Sequence, residues 1–514
     1  MVKQEMDRGA HYYRCDLQVH SPRDLRWTGR PAITPEERRV YAESLVAACR
    51  EKGLAAIAVT DHHDLAFADY VRKAAEDETD GEGAPLLPAE RLVVFPGMEL
   101  TLGIPCQALL ILDADFPSNM FQPLLTAFRI EARADQEAST AQVARLAHIH
   151  SFKELKEELD GHSWLKDRYI IFPNVTNEGE FSLLRHGMAG KYTEMPCVGG
   201  FIDGSVTKLR PGVSNILAGK DKAWGNKRLA CFQTSDNRRD DHRDLGGHST
   251  WIKWATPTAE ALRQACLAQE SRVSQTQPRL PSIVISGITV SNSTFLGPVE
   301  LEFNPQYNAL IGGRGTGKST ILEYLRWALC DQPPVITDED APNYQARRTR
   351  LIDQTLKAVN STVDARFIVN EVPHVVRRRS EDGLVSIKVG SSEFRECSED
   401  EVRSLLPIQA YSQKQLSDVS VRSDELLRFV ISPVRSELRQ IESRIEDSAS
   451  RVRQSYATRL RHRTLSTEIE HRNLEQHSCS RVGGGMKGRI APGETTAEAV
   501  AVPVMGVHSP NCFA

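Results

Sequence analysis

Between about residues 10 and 275, short apolar runs alternate with helical patterns. A continuous apolar run of four to eight residues between turn residues is typical of a buried strand. The runs that predict strands lie at 54–60, 91–97, 108–113, 168–174 and 229–235. Strands that alternate with helices in this way predict a parallel sheet or barrel.

The residues before the first of these runs carry start and stop signals for a helix. Thr34 is a good N-cap, Pro35 suits the first helical position, and Glu37 completes a capping box. Gly53 stands where a helix C-terminus commonly stops. We therefore predict a helix between Pro35 and Gly53.

A linker and a second α/β segment follow. The stretch 269–282 contains two prolines and few apolar side chains, which is typical of a linker. A new pattern of strands and helices begins near residue 283 and continues to about residue 425. Within it, the apolar run at 308–311 predicts a strand directly before a glycine-rich loop.

The region from about residue 432 to 476 is charged and helical in pattern. Val434, Leu438, Ile441, Ile445 and Val452 recur at three- and four-residue steps. A coiled-coil arm and a single amphipathic helix both fit this spacing. From residue 477 to 514 the chain becomes rich in Gly, Ala, Val and Pro without any period, which predicts a tail that is disordered or alien to the fold.

Length, charge and cysteine usage narrow the class of protein. A chain of 514 residues is expected to form several domains. A net charge of −4 argues against a uniformly basic coat for nucleic acid, although it permits a local basic groove. The ten cysteines form no C-x-x-C pair, which favours free thiols in a reducing cytoplasm. We find no secretory signal and no apolar run near the roughly 20 residues that span a bilayer, so we expect a cytoplasmic protein without a membrane partner.

The glycine-rich loop carries the strongest chemical signal. Gly312, Gly317, Lys318 and Ser319 satisfy the pattern G-x-x-x-x-G-K-[ST]. In such a loop backbone N–H groups surround phosphate oxygens, the lysine reaches the β- and γ-phosphates, and the serine holds Mg²⁺. A helix that opens at the serine directs its positive end at the same anion. The residues predicted to bind ATP are Gly312, Gly313, Arg314, Gly315, Thr316, Gly317, Lys318, Ser319 and Thr320.

This segment resembles the N-terminal half of ABC-type ATPases of the SMC and RecF–RecN kind. The stretch "ISGITVSNSTFLGPVELEFNPQYNALIGG" is similar to their opening hairpin, and "IQAYSQKQLSDV" to their Q-loop, with Gln413 in place of the glutamine that contacts Mg²⁺ and the attacking water. We find no signature motif and no Walker B strand after Gln476. Because Walker B carboxylates position Mg²⁺ and water, we expect this chain alone to bind nucleotide better than it hydrolyses it, as a truncated or frame-altered version of a longer protein.

Histidines and carboxylates follow several predicted strands of the first segment. His20, the pair Asp61 and His62, Glu99 and Asp236 stand at or just past strand ends. Because the carboxyl ends of barrel strands meet at one rim, these side chains are expected to converge there. Mixed His, Asp and Glu ligation suits Zn²⁺, Mn²⁺ or Fe²⁺, which activate water and hold a phosphoryl group.

These pieces resemble the PHP (polymerase and histidinol phosphatase) phosphoesterases over roughly residues 12–275. The resemblance implies a distorted (β/α)7 barrel with two or three metals, Asp61, His62 and Asp236 as catalytic residues, and His20, His62, Glu99 and Asp236 as metal ligands. The family's histidines are replaced by Gln18, Asn174 and Arg238. We therefore expect one metal, Mn²⁺ or Zn²⁺, at most, or a catalytic or phosphate-contacting role for Arg238 instead.

The order of the segments resembles the PHP-associated AAA-like ATPases of the TrlF type. The implied fold is α/β: a PHP-type barrel, then a P-loop NTPase N-lobe of ABC and SMC type, then a short helical coiled-coil arm. The predicted boundaries are 12–275, 276–282 for the linker, 283–425, 426–476 and 477–514.

Three functions are open at this point. The first is an ATPase coupled to a phosphoesterase or nuclease that acts on nucleic acid, in repair, tRNA or defence contexts, with two chains engaging head to head as a homodimer. The second is a non-catalytic, ATP-gated sensor of nucleic acid or phosphate. The third is a small-molecule phosphatase of the histidinol phosphatase type.

Overall fold

The computed structural model describes residues 9–131, 145–177, 179–331, 344–406, 408, 410–411, 430–431 and 434–483. The chain divides into two compact units, residues 1–410 and residues 411–514. The described part of the first unit contains sheets of seven, six and two strands, and the described part of the second is helical.

The first domain runs from the N-terminal strand to a short strand near residue 274. Its strands are β1 (His11–Val19), β2 (Ala56–Val59), β3 (Val93–Thr101), β4 (Gln107–Leu112), β5 (Tyr169–Pro173), β6 (Gly199–Asp203), β7 (Ala230–Thr234), β8 (Thr250–Trp254) and β9 (Val273–Ser274). Its helices are α1 (Pro35–Glu51), α2 (Ala68–Glu76), α3 (Phe121–Ala127), α4 (Phe152–Asp160), α5 (Ala189–Glu194), α6 (Pro211–Leu217), α7 (Ala259–Leu267) and α8 (Gln269–Arg272).

Seven of these strands form one curled sheet in the order β5-β4-β3-β2-β1-β8-β9, and β6 and β7 form a separate parallel pair. Single bridges from Asn174 to Phe201 and from Val19 to Asn237 join the pair to the two sides of the curl. A mixed α/β sheet curled towards a barrel is therefore present, but its closure depends on isolated bridges.

The prediction of a parallel sheet is only partly correct. The strands β1, β2 and β3 are parallel, whereas β4 is antiparallel to β3 and to β5, and β8 is antiparallel to β1. The chain between Thr101 and Gln107 is short. Parallel neighbours need a crossover of a dozen or more residues, so β4 has to return as a hairpin.

The capping signals before β2 are confirmed. The Thr34 hydroxyl accepts a hydrogen bond from Glu37 N at 3.2 Å, and the Glu37 carboxylate accepts one from Thr34 N at 2.9 Å. Gly53 follows α1 with φ of 66°, a left-handed conformation that favours glycine. This reciprocal bonding satisfies orphan N–H groups of the first turn and fixes where α1 begins.

The first domain buries apolar side chains on both faces of the curled sheet. One cluster lies inside the curl, and every strand from β1 to β8 contributes to it: Cys15, Leu17, Ala58, Phe95, Leu109, Phe172, Phe201, Phe232, Ile252 and Trp254. The other cluster packs α1, α2 and α4 against the outside of the same sheet. Because both faces are covered, the strands read as continuous apolar runs.

A second sheet follows in the order β11-β10-β12-β13-β14-β15. Its strands are β10 (Ile283–Val290), β11 (Val299–Glu302), β12 (Thr362–Val369), β13 (Val372–Arg379), β14 (Val385–Val389) and β15 (Arg395–Glu396), and every pairing is antiparallel. The helices α9 (Lys318–Ala328), α10 (Tyr344–Thr355) and α11 (Glu399–Leu405) accompany it. Tyr324, Leu325 and Ala328 of α9 pack against its apolar side chains.

The strand predicted at 308–311 is wrong. Residues 307–313 have no strand assignment, and Tyr307 and Ile311 are 86% and 92% exposed. A strand requires a neighbour to pair with, and among the described residues no strand lies alongside this run.

The second unit contains the long helix α12 (Arg435–Gly483). It continues past residue 476 into the region predicted to be a tail. Val434, Leu438, Ile441, Ile445 and Val452 are exposed, so the coiled coil stays a prediction. Gln413 and residues 484–514 lie outside the described residues. No described helix combines the length and the apolar character that crossing a membrane requires.

Candidate functional site

The glycine-rich loop adopts a conformation that depends on its glycines. Gly315 and Gly317 have φ of 83° and 88°, and Gly317 is the N-cap of α9. A Cβ atom at Gly317 would overlap the side chain of Leu296. Glycine is therefore required at the last position before the helix, for its left-handed backbone and for its lack of a side chain.

The lysine of the loop lies against the loop's own carbonyl groups. Lys318 Nζ donates hydrogen bonds to Gly312 O at 2.7 Å and to Gly313 O at 2.5 Å, and Thr316 Oγ1 donates to Gly313 O at 3.0 Å. The ammonium group thus lies over the loop at the N-terminus of α9, where the helix dipole is positive. The lysine ammonium and the first-turn N–H groups of α9 therefore lie at the same helix end, a combination that favours the binding of phosphate.

The remaining residues of the predicted nucleotide site surround the same loop. Arg314, Gly315 and Thr316 are exposed within it, and Ser319 and Thr320 follow in the first turn of α9. The exposed hydroxyl of Ser319 beside the loop fits the oxygen ligand that Mg²⁺ takes when it accompanies a nucleotide. The predicted partner Gln413 lies outside the described part of the chain.

The predicted histidines and carboxylates of the first domain converge at one end of the curled sheet. His20 follows β1, Asp61 and His62 follow β2, Glu99 lies in β3, and Asp236 follows β7. Bridges between His62 and Glu99 and between the chain at Val19 and Asn237 hold these segments side by side. The strand-end argument therefore locates a real cluster of chemically competent side chains.

The cluster is compact and buried. His20 Nε2 lies 3.0 Å from Asp236 Oδ1 and 3.6 Å from Glu99 Oε2, and His62 Nε2 lies 3.2 Å from Glu99 Oε2. Asp24 Oδ2 lies 3.1 Å from His20 Nδ1 and 2.8 Å from His62 Nδ1. Two groups of three residues each bring their ligand atoms within 4.8 Å of one another. The first group is His20, Asp24 and His62, and the second is His20, Glu99 and Asp236.

An arginine occupies the middle of this cluster. The Arg238 guanidinium donates to Asp24 Oδ1 and, at 3.1 Å, to Glu99 Oε2, and it lies 2.8 Å from Asp236 Oδ1. Its side chain is only 12% exposed. The prediction that Arg238 contacts phosphate directly is therefore not supported, because three carboxylates already hold its N–H groups.

Several groups lack a well-directed partner in spite of these short distances. Both ring nitrogens of His20 and Asp236 Oδ1 are buried and form no hydrogen bond of acceptable angle. Burial and Arg238 act to lower the pKa of His20, but Asp24 and Asp236 outweigh them and raise it to about 10.

The other predicted catalytic aspartate lies behind the cluster. Asp61 accepts hydrogen bonds from Ser21 N at 2.7 Å and Ser21 Oγ at 2.5 Å, and it is 3.9 Å from His20 Nδ1. Burial and the nearby Asp24 raise the pKa of Asp61 to about 6. Its contacts orient the loop that carries His20 and do not direct it at the centre of the cluster.

Gln18 and Asn174, which stand where the PHP pattern has histidines, each form hydrogen bonds with nearby residues. Gln18 Oε1 accepts from Thr234 Oγ1 at 2.7 Å. Asn174 Oδ1 accepts from Thr176 N at 3.0 Å, and its Nδ2 donates to Asp203 Oδ2 at 3.4 Å. Both amides are therefore already engaged by their neighbours.

Two side chains outside the predicted ligand set contact its histidines. Asp24 Oδ2 lies within 3.1 Å of a ring nitrogen of His20 and of His62, and Gln107 Nε2 lies 3.1 Å from His62 Nε2. Asp24 stands four residues after His20, and this spacing was the signal available for it. Gln107 begins β4, and only the hairpin from β3 brings it to the site.

The residues do not fit a metal centre with Arg238 where it is. Three of the five candidate ligands, Asp24, Glu99 and Asp236, are ion-paired with the guanidinium. A divalent cation about 4 Å from that group would be repelled by roughly 8 kcal/mol at an effective dielectric constant of about 20. The predicted Mn²⁺ or Zn²⁺ is therefore not supported by the geometry of this site.

The comparison with protein families concerns α12 and the second domain, which contains the sheet β10–β15 with α9, α10 and α11. Residues 288–476 match the family model of an AAA domain. This match contains the glycine-rich loop and α9, and it supports an ATPase of the SMC-like kind. Among curated proteins, none matches this sequence.

Two solved structures overlap part of the chain at low similarity. PsfC from Pseudomonas syringae PB-5123 has 13% identity and a TM-score of 0.27, over 49% of this chain and 88% of that one. A "putative metal-dependent phosphoesterase" from Bifidobacterium adolescentis has 13% identity and a TM-score of 0.27, over 49% of this chain and 95% of that one. Likenesses at this level carry no argument about function.

Proposed function

We propose that this chain is an ATP-binding protein of the SMC-like ATPase kind, with an N-terminal domain related to the PHP phosphoesterases, as in the TrlF type of PHP-associated ATPase. The observation that carries the proposal is the conformation of the glycine-rich loop, with Lys318 Nζ over the carbonyls of Gly312 and Gly313. The match of residues 288–476 to an AAA domain supports it.

The chain's own groups account for the binding of the nucleotide. The phosphates of ATP would lie against the loop N–H groups and the N-terminus of α9, and Lys318 would exchange its carbonyl partners for phosphate oxygens. Ser319 would hold the Mg²⁺ that accompanies the nucleotide. Bound Mg²⁺ supplies positive charge that neutralises the phosphates.

The direct test is ATP binding by the full chain with and without the lysine. Charge-assisted hydrogen bonds to phosphate contribute roughly 1.5–3 kcal/mol, so Lys318→Ala should weaken ATP binding by about 10- to 150-fold. Lys357→Ala is a matched control, because Lys357 is a lysine of the same domain that is 54% exposed and forms a surface ion pair with Asp353. Equal ATP affinity of Lys318→Ala and the wild type would contradict the proposal.

The expected partners of this chain are a second copy of itself and nucleic acid. We propose that ATP brings the nucleotide-binding domains of two chains together and that the N-terminal domain acts on nucleic acid. Light scattering with and without ATP tests the first part, and Lys318→Ala should abolish any ATP-dependent dimer. Fluorescence anisotropy with labelled DNA and RNA tests the second part, and equal binding to an uncharged polymer would refute it.

One observation favours a second candidate, a non-catalytic, ATP-gated sensor of nucleic acid. Arg238 holds three of the carboxylates that a hydrolytic metal centre would need. The sensor should therefore bind oligonucleotides without cutting them, in the presence of Mg²⁺, Mn²⁺ or Zn²⁺ and with or without ATP. Cleavage that is lost in His62→Ala would instead establish a phosphoesterase.

A further inference from the structure

The three carboxylates around Arg238 come from separate segments of the first domain. Asp24 follows β1, Glu99 lies in β3, and Asp236 follows β7. Asp24 and Glu99 are buried, and an oxygen of Glu99 lies within 4.8 Å of one of Asp236. Like charges at this separation repel one another, so the cluster requires a cation to bring these segments together.

Arg238 supplies that cation from within the chain. Its guanidinium touches all three carboxylates, and its fixed fork of N–H groups allows such multiple contacts. Asp236 has φ of 49°, and this left-handed turn lies directly before Asn237 and Arg238. The backbone at the end of β7 therefore turns where the arginine has to enter the cluster.

The same cluster retains the features of a ligand set. Both nitrogens of His20 and Asp236 Oδ1 are buried without a well-directed hydrogen bond. Buried polar groups are normally satisfied, so the poor hydrogen-bond directions of these atoms are unusual, and a ligand set without its metal would share this feature. Removing the guanidinium would leave two ligand groups that share His20, one with Asp24 and His62 and one with Glu99 and Asp236, without the cation that contacts their carboxylates.

We propose that Arg238 is a built-in replacement for a metal ion: it neutralises Asp24, Glu99 and Asp236, keeps divalent cations out, and masks a latent binding site for Zn²⁺ or Mn²⁺. This role of Arg238 is independent of ATP binding at Lys318. Metal binding by the first domain can be measured without nucleotide, so the two proposals can fail separately.

The experiment measures metal binding and thermal stability in the full chain free of nucleotide. The wild type should retain no stoichiometric Zn²⁺ or Mn²⁺ after dialysis, by elemental analysis and titration calorimetry, and EDTA should not change its Tm. Arg238→Ala and Arg238→His should each bind about one Zn²⁺ per chain. Their Tm should fall by several degrees in EDTA and recover when Zn²⁺ is added.

Two further variants separate this role from general effects. Arg238→Lys keeps the positive charge and should gain no metal. Arg239→Ala removes the adjacent arginine, which pairs with Asp241 and not with the cluster, and should behave as the wild type in both measurements. Stoichiometric Zn²⁺ in the wild type would overturn the proposal even if the alanine variant failed to fold. A folded Arg238→His variant that gains no metal would overturn it as well.

Discussion

Replacing Gly317 with alanine tests whether the nucleotide loop depends on the conformation that precedes α9. Gly317 has φ of 88°, and a Cβ atom there would overlap Leu296. The substitution therefore imposes two separate costs, one on the backbone and one on the neighbouring side chain. Both act at the first turn of α9, which carries Lys318 and Ser319.

The two costs can be estimated separately. A left-handed conformation costs a non-glycine residue about 1–2 kcal/mol. Displacing Leu296, whose Cδ2 is the nearest atom, forces it off its rotamer at a cost of about 0.5–1.5 kcal/mol. Together they amount to about 1.5–3.5 kcal/mol, which corresponds to a roughly 10- to 400-fold increase in local opening.

Hydrogen exchange of the α9 amides measures this opening without requiring the whole chain to unfold in one step. Gly313→Ala is the control in the same loop, because its Cβ atom would meet only Thr316 Cγ2, at 4.0 Å. Its effect should stay within about 0.5 kcal/mol, or roughly twofold. ATP binding should weaken together with α9 protection in Gly317→Ala.

A second substitution separates the backbone cost at residue 317 from the cost of the overlap with Leu296. Leu296→Ala in the Gly317→Ala background removes the overlap but not the backbone strain, so it should restore part of the protection that Gly317→Ala loses. If Gly317→Ala exchanges no faster than Gly313→Ala, the reasoning about the loop is wrong. If Leu296→Ala restores nothing, the overlap contributes nothing and only the backbone argument survives.

Three further predictions concern the stability of the first domain. Asp64→Asn removes the charge of the carboxylate that the buried Arg23 guanidinium contacts at 2.7 Å and should cost about 1.5–3 kcal/mol in chemical unfolding, whereas a cost under about 0.5 kcal/mol would show that the pair is not structurally important. Burial lowers the pKa of His242, so below pH 6.5 the unfolded chain takes up a proton that the folded chain does not, and stability should fall as the pH decreases. Tm measured from pH 8 to 5 should decline less in His242→Gln, and parallel curves would refute this. Thr34→Ala removes the hydroxyl that caps Glu37 N and should cost about 1 kcal/mol, which Thr34→Ser should largely recover in the same unfolding assay.

Features that depend on adjacent residues could be read from the sequence. The capping box of α1 requires only residues three apart, and the hydrogen bonds of Thr34 and Glu37 follow that spacing. The loop before α9 is likewise built from consecutive residues, with left-handed glycines at Gly315 and Gly317. Local steric rules determine both, and distant parts of the chain have little influence on them.

Features that depend on distant partners could not be read in this way. The run at 308–311 has a strand's composition, but pairing requires a neighbour that no local pattern reveals. The ion pairs of Arg238 are similar: the sequence shows an arginine in a histidine's place, but only the fold shows that its guanidinium points into the carboxylates. The direction of β4 could not be read either, because strand–helix alternation predicts a parallel neighbour, whereas the connection from β3 is too short for a crossover.

The central position of β1 has a consequence for how this protein is made. The strand His11–Val19 pairs with β2 on one side and with Thr250–Trp254 on the other. At the usual synthesis rate of about 5–20 residues per second, the ribosome needs roughly 10–50 s after completing β1 to synthesise β8, the second neighbour of β1. During that interval an apolar strand edge is exposed, so nascent chains that stop before β8 should be the forms that chaperones bind and that aggregate most readily.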